Sequence, residues 1–138
     1  PRPDAPPEPI REGVRNVYEC PACHLIPHAQ AEEAALYPIV QQVLGSPEAT
    51  RTMSRDHVEV ERYIEELDGL QQEQSPKNYK SLQRVLYALY ALVKVHFAKE
   101  EEVYLPILDE RLSPEQARNM FESMETAASQ AKQAIHAQ

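Results

Sequence analysis

A thirteen-residue pattern occurs twice in the sequence and constrains the fold more than any other feature. Residues 28–40 read HAQAEEAALYPIV, and residues 96–108 read HFAKEEEVYLPIL. In both copies a histidine is followed by glutamate four residues later, by a second glutamate, and by proline ten residues after the histidine. Side chains four positions apart share one face of an α-helix. Each copy therefore predicts a helix that presents an imidazole and a carboxylate side by side.

The rest of the chain also predicts helices. Apolar residues recur at three- and four-residue steps from Val60 to Leu70 and from Leu82 to Val103, which is the period of an amphipathic helix. Only 3 glycines occur, which disfavours a sandwich or barrel with many tight turns. The predicted helices cover residues 27–44, 48–73, 77–110 and 114–136. Because short connections make neighbouring helices antiparallel, we predict an all-α fold, an antiparallel helical bundle with a C-terminal helix.

Helix boundaries are predicted from Ser, Pro and Gly. Three Ser-Pro pairs are expected to begin helices, since Ser is a favoured N-cap and Pro fits the first helical position. These pairs are Ser46-Pro47, Ser75-Pro76 and Ser113-Pro114, and the last continues with Glu115-Gln116 into a capping-box pattern. Gly45 is predicted to end the first helix. Pro38 and Pro106 are predicted to kink or end the helices that contain them.

Length and charge indicate one acidic domain. The chain has 138 residues, and 14 Lys and Arg against 22 Asp and Glu give a net charge of −8. This charge argues against binding to nucleic acid or to an anionic membrane surface, and no apolar run is long enough to span a bilayer. We predict a Pro-rich tail over residues 1–12 and one helical domain over residues 13–138. No signal peptide is visible, so we expect a cytoplasmic location.

The His and Glu pairs predict a metal site. His28 with Glu32 and His96 with Glu100 are in phase with apolar neighbours and are expected to point inward. Those neighbours are Leu36, Ile39, Leu92, Val93 and Val103. His57 with Glu61 repeats the spacing. Buried charge is costly without a partner or a metal, and imidazole with carboxylate suits iron, manganese or zinc. A surface pair or a core histidine explains any single pair, whereas three in-phase pairs favour metal.

These segments resemble the hemerythrin-like, or HHE cation-binding, domains. Residues 28–38 and 96–106 are similar to the His-x-x-x-Glu segments on the second and fourth bundle helices of that family. RDHVEVERYIEEL is similar to its third-helix histidine segment, and LSPEQARNMFESME to the C-terminal helix common in bacterial members. The resemblance implies a four-helix bundle around a non-haem di-iron centre. It implies bridging ligands Glu32 and Glu100, terminal ligands His28, His57 and His96, and Glu61 where some members have a second histidine.

The resemblance also implies a function. Members of the family bind small molecules at an open iron position, so the expected role is binding or sensing of O2, peroxide, NO or iron. No arrangement of nucleophile and base is visible, so turnover of an organic substrate is not expected. The alternative is a metal-free helical interaction module that has lost the di-iron centre.

One family feature has no obvious counterpart in this sequence. The family has a ligand histidine on its first helix, well before His28, where this sequence has its Pro-rich tail. His24 is the local candidate for that ligand, although Pro27 disfavours a continuous helix between the two histidines. A helix donated by a partner chain, and hence a homodimer, is the alternative. Cys20 and Cys23 match a C-x-x-C-H haem-attachment pattern, but two ordinary thiols are the simpler interpretation.

The face of the helix on which a residue lies distinguishes the expected ligands from their neighbours in the sequence. Glu33 and Glu101 lie off the ligand stripe, so they are expected to matter less for metal binding than Glu32 and Glu100. Three tyrosines are candidates either to line the metal pocket or to fill the core: Tyr37, Tyr87 and Tyr104.

Overall fold

The computed structural model describes residues 24–73 and 78–136, and within these ranges every regular element is helical. The α-helices are α1 (Ile26–Ala31), α2 (Tyr37–Leu44), α3 (Arg51–Gln72), α4 (Tyr79–Lys99), α5 (Leu105–Arg111) and α6 (Pro114–His136). Two π-helical segments, Glu32–Leu36 and Glu100–Tyr104, join α1 to α2 and α4 to α5. The predicted all-α bundle is therefore confirmed.

Several sequence features lie outside the described residues. They are the predicted tail over residues 1–12, Cys20, Cys23 and the Ser75-Pro76 pair. Within the described part of the chain, no helix is long and apolar enough to cross a membrane.

A π-helical turn accommodates each proline of the repeated pattern, so neither proline ends its helix. Pro38 and Pro106 lie in the first turn of α2 and α5. An interior proline removes a hydrogen bond and clashes with the carbonyl four residues earlier. In each copy the residue before the proline instead donates its N–H to the carbonyl five residues earlier, from Tyr37 to Glu32 and from Leu105 to Glu100. This wider turn begins at the glutamate of each repeat.

The π turn also changes which side chains face the core. Val103 was predicted on the buried stripe of its helix, but it is 48% exposed. It lies inside the segment Glu100–Tyr104, where the regular α-helical period no longer applies. The prediction for Val103 was wrong because it carried that period through the π turn.

Two of the predicted helix boundaries are confirmed, and one is wrong. Gly45 ends α2 with a φ of 68°, and Ser46 donates its N–H to the Gln41 carbonyl oxygen over 3.0 Å, as in a Schellman motif. However, α3 begins at Arg51 rather than near residue 48. The Ser46 hydroxyl oxygen accepts the Glu48 N–H over 3.2 Å, which stabilises a turn before the helix instead of its first residue.

The capping box at the start of α6 forms as predicted. The Ser113 N–H donates to Gln116 Oε1 over 2.9 Å, and the Gln116 N–H donates to Ser113 Oγ over 3.1 Å. The two bonds satisfy two backbone donors that would otherwise lack a partner within the helix.

Two apolar clusters hold the bundle together. The Met53 cluster has as its buried members Leu36, Tyr37, Val40, Met53, Leu108 and Met120. The Leu67 cluster has as its buried members Val60, Ile64, Leu67, Val85 and Leu89. Helix α3 runs from Met53 in the Met53 cluster to Leu67 in the Leu67 cluster. Helices α4 and α5 run in the opposite direction, from the Leu67 cluster back to Leu108 in the Met53 cluster. Neighbouring helices are thus antiparallel, and α6 packs along α1 and the segment Glu32–Leu36.

Replacing Ser113 by alanine should lower the free energy of unfolding by about 1 kcal/mol, because it removes the N-cap hydrogen bond of α6. Ser129, which is exposed in the middle of α6, provides the matched control, and Ser129→Ala should leave stability unchanged or slightly higher. Denaturant unfolding followed by circular dichroism measures both variants. Equal losses in the two variants would contradict the capping role.

Candidate metal centre

Glu32 lies at the centre of a polar layer between the two apolar clusters. Its side chain is 0% exposed. Its Oε1 atom lies 2.9 Å from His57 Nε2 and 3.2 Å from His96 Nε2. One ligand atom from each of these three residues lies within 4.8 Å of the others. We call these three residues the first group. Glu32 begins a π segment, His57 lies on α3 and His96 lies on α4, so three helical segments meet at this group.

A second group shares Glu32 with the first. It consists of His28, Glu32 and Glu100, again with one ligand atom from each residue within 4.8 Å of the others. His28 Nε2 lies 3.5 Å from Glu32 Oε2. The side chain of His28 is 45% exposed, so the second group lies nearer to solvent than the first.

Unsatisfied polar atoms mark the second group. Three buried side-chain atoms of the described residues make no hydrogen bond: His28 Nε2, Glu32 Oε2 and Glu100 Oε1. Glu100 Oε1 approaches His96 Nε2 to 2.6 Å, but this contact lacks hydrogen-bond geometry. Buried polar atoms without partners are uncommon and call for an explanation. A cation bound between these three atoms would satisfy all of them, so the residues present fit a metal.

The electrostatics of the cluster follow from its buried carboxylates. Burial lowers the pKa of His96, but Glu100, Glu32 and Asp56 outweigh this effect and raise it to about 10. Burial and the neighbouring Glu32 raise the pKa of Glu100 to about 7. Burial also acts to raise the pKa of Glu32, but the nearby imidazoles of His28, His57 and His96 hold it below its ordinary value. The cluster thus attracts positive charge strongly, as a cation site should.

Carboxylates behind two of the imidazoles fix their orientation. His57 Nδ1 lies 2.9 Å from Glu33 Oε1, and His96 Nδ1 lies 2.9 Å from Asp56 Oδ2. Metal-binding histidines usually donate their second ring N–H to such a group. With Nδ1 held in this way, each ring directs Nε2 toward Glu32, where a bound metal would replace the proton on that nitrogen.

Those outer carboxylates are themselves held in place. Ser54 Oγ donates to Glu33 Oε2 over 2.9 Å, and Lys99 Nζ donates to Asp56 Oδ2 over 2.7 Å. Burial raises the pKa of Asp56, but the Lys99 ammonium and His96 lower it on balance. Asp56 is therefore a stable anion, suited to hold the His96 ring.

The structure brings together five of the six residues predicted as ligands. These are His28, Glu32, His57, His96 and Glu100. Glu61 is exposed on α3 and lies outside both groups. His24 is likewise exposed and belongs to neither group.

Sequence analysis missed two residues of the site, Glu33 and Asp56. Glu33 was placed off the ligand stripe, which holds for the metal ligands, yet its carboxylate contacts the ring of His57. Asp56 was not considered. Both contacts join different helices, so no spacing rule within one helix could have found them.

The three candidate tyrosines have different environments. Tyr37 is buried, and its hydroxyl lies 3.3 Å from both His57 Nε2 and His96 Nε2. Tyr104 donates its hydroxyl to the Ala49 carbonyl oxygen over 3.0 Å, which is a structural contact away from the cluster. Tyr87 is 70% exposed. Only the first of these three tyrosines reaches the site.

A small cavity adjoins the two groups. Its volume is about 20 Å³, which is room for about one water-sized molecule. The cavity is lined by Glu32, three histidines (His28, His57 and His96) and five apolar side chains: Leu25, Ala29, Val60, Val93 and Phe97. The cavity thus leaves room for a water-sized ligand beside the two groups.

Removing Asp56 should weaken metal binding by about 10- to 100-fold, because outer-shell partners of metal-bound histidines typically contribute that much. We expect this loss for Asp56→Ala in a metal titration against a competing chelator. Glu101→Ala is the control, since Glu101 is exposed and outside both groups. Unchanged affinity in Asp56→Ala, or the same loss in Glu101→Ala, would contradict the positioning role.

The comparison with known protein families agrees with this geometry. The sequence profile described as the hemerythrin HHE cation binding domain matches residues 22–108. No curated protein and no solved structure matches the chain. The match covers more than half of the chain and all five clustered candidate residues, and we conclude that the chain belongs to the hemerythrin HHE cation-binding domain family.

Proposed function

We propose that this protein holds a non-haem di-iron centre and uses it to bind or sense a small oxygen species, such as O2, peroxide or NO, or iron itself. The observation that carries the proposal is the shared Glu32. Its Oε1 atom faces His57 and His96, while its Oε2 atom lies near His28 and makes no hydrogen bond. A carboxylate with one oxygen in each of two groups is suited to bridge two metal ions.

The donor types favour iron. His57, His96 and Glu32 form a set of two histidines and one carboxylate, which is typical of non-haem iron(II). The second group has one histidine and two carboxylates, and its imidazole is again a donor that suits iron. Two metals with a shared carboxylate would also explain why the buried carboxyl groups of Glu32 and Glu100 lie so close together.

The residues of the chain would bind the metal and limit what reaches it. Glu33 and Asp56 orient two of the imidazoles, and the apolar side chains Leu25, Val60, Val93 and Phe97 line the cavity beside them. When bound, iron would supply reversible redox chemistry and an open coordination position. The cavity is too small for an organic substrate, so the proposal is ligand binding rather than substrate turnover.

Anaerobic reconstitution with iron(II) tests the centre directly. We expect two irons per chain in the unaltered protein, and a clear loss of iron in His57→Ala and His96→Ala, because each variant removes a ligand of the first group. His24→Ala should retain both irons, since His24 is exposed and outside both groups. Iron is counted by elemental analysis of desalted protein.

Two results of this measurement would contradict the proposal. An unaltered protein that retains no stoichiometric iron would favour the alternative, a metal-free interaction module. Equal iron loss in all three histidine variants would mean that the ligand set is wrong.

Filling the cavity should slow access of O2 without removing iron. Ala29 lines the cavity, and a leucine at this position would occupy its space. Because this leucine would fill the space beside the two groups, we expect oxidation of the diferrous protein by O2 to slow by about tenfold or more, which corresponds to a barrier higher by about 1.4 kcal/mol. Stopped-flow absorbance measures the rate, and Ala98→Leu on α4, away from this cavity, is the control. An unchanged rate in Ala29→Leu would show that O2 uses another route.

A further inference from the structure

The hydroxyl of Tyr37 lies against all three donor atoms of the first group. Its oxygen is 3.4 Å from Glu32 Oε1, 3.3 Å from His57 Nε2 and 3.3 Å from His96 Nε2. The side chain is buried, with 2% of its surface exposed, and its ring stacks on His57 with centroids 5.5 Å apart. The phenol is therefore held in place within the group, and is not free to swing into solvent.

Five of the six distances among these four atoms match those around one metal ion. Metal bonds to nitrogen and oxygen of about 2.0–2.2 Å place neighbouring donor atoms about 2.8–3.6 Å apart in tetrahedral or octahedral geometry. The five measured separations are 2.9, 3.2, 3.3, 3.3 and 3.4 Å. All five fall within that range. We infer that Tyr37 is a fourth protein ligand of the metal in the first group, an assignment that rests on the proposed iron centre.

The π segment explains how Tyr37 reaches the site. In an α-helix, residues five positions apart point about 140° away from each other, so Tyr37 would face away from Glu32. Here the Tyr37 N–H donates to the Glu32 carbonyl across the wider π turn, which brings the two side chains toward the same face. The observed contact between the Tyr37 hydroxyl and Glu32 Oε1 follows from this turn.

The second copy of the pattern has no such ligand. Leu105 stands where Tyr37 stands in the first copy, one residue before the proline. The tyrosine of that copy, Tyr104, is one position earlier and donates to the Ala49 carbonyl oxygen instead. The inference therefore distinguishes the two metals: the first group binds its metal with a phenol oxygen, and the second group does not. On coordination the metal–oxygen bond replaces the O–H bond, and the proton passes to the buffer.

Visible spectroscopy of the ferric protein tests this inference. Iron(III) bound to a phenolate has a charge-transfer band in the visible region, and Raman scattering excited in that band shows enhanced tyrosine ring vibrations. We expect both signals in the unaltered protein. In Tyr37→Phe the band should fall at least tenfold per bound iron, while two irons and the helical circular dichroism remain. Tyr104→Phe is the matched control and should keep both signals.

The outcomes separate this inference from the proposed function. If the unaltered protein binds two irons but shows no tyrosine vibrations, or if they persist in Tyr37→Phe, Tyr37 is not a ligand while the di-iron proposal stands. If the unaltered protein binds no iron, the proposed function itself fails, and the inference with it. If Tyr37→Phe loses iron, the Tyr37→His variant is measured next. Iron binding restored by histidine supports a donor atom at this position, and continued loss of iron overturns the inference.

Discussion

The burial of the Glu32 carboxylate is the constraint on which the arrangement of the helices depends. A fully buried carboxylate without compensation costs several kcal/mol. Here the compensation comes from imidazoles on other parts of the fold, His57 on α3 and His96 on α4. Since no single helix could supply both, three helical segments must converge at one level of the bundle, and the apolar clusters above and below this level hold them there.

Sequence periodicity predicted the helices and most of the residues that cluster at the candidate site, because these depend on local rules. The spacing of His28 from Glu32 and of His96 from Glu100 places each pair on one face whatever the rest of the fold does. The same rule failed for Glu61, which shares the spacing but is exposed. Asp56 could not be predicted, because its role depends on which helix packs beside α3. Neither could Val103 be placed, because the π turn interrupts the period used to locate it.

The two copies of the pattern are similar in sequence but unequal in their surroundings. Glu32 of the first copy belongs to both groups, whereas Glu100 belongs to one. The His96 ring is almost fully buried and is held by Asp56, while the His28 side chain is 45% exposed and packs edge-on against Phe97 at 5.4 Å. The two proposed metal positions should therefore differ in affinity and in access to solvent, so internal repetition has not produced a symmetric site.

The spacing from histidine to proline fixes where each π turn lies. It therefore determines which side chains after the turn face the core. A π turn holds one residue more than an α turn, so it acts as a single-residue insertion that the proline keeps in place. If this segment were a regular α-helix of the same length, everything after it would be turned by about 100°. Val40 would then leave the Met53 cluster, and the connection at Gly45 would point elsewhere. The wide turn at each proline is therefore as strict a requirement as the identity of the side chains that cluster beside it.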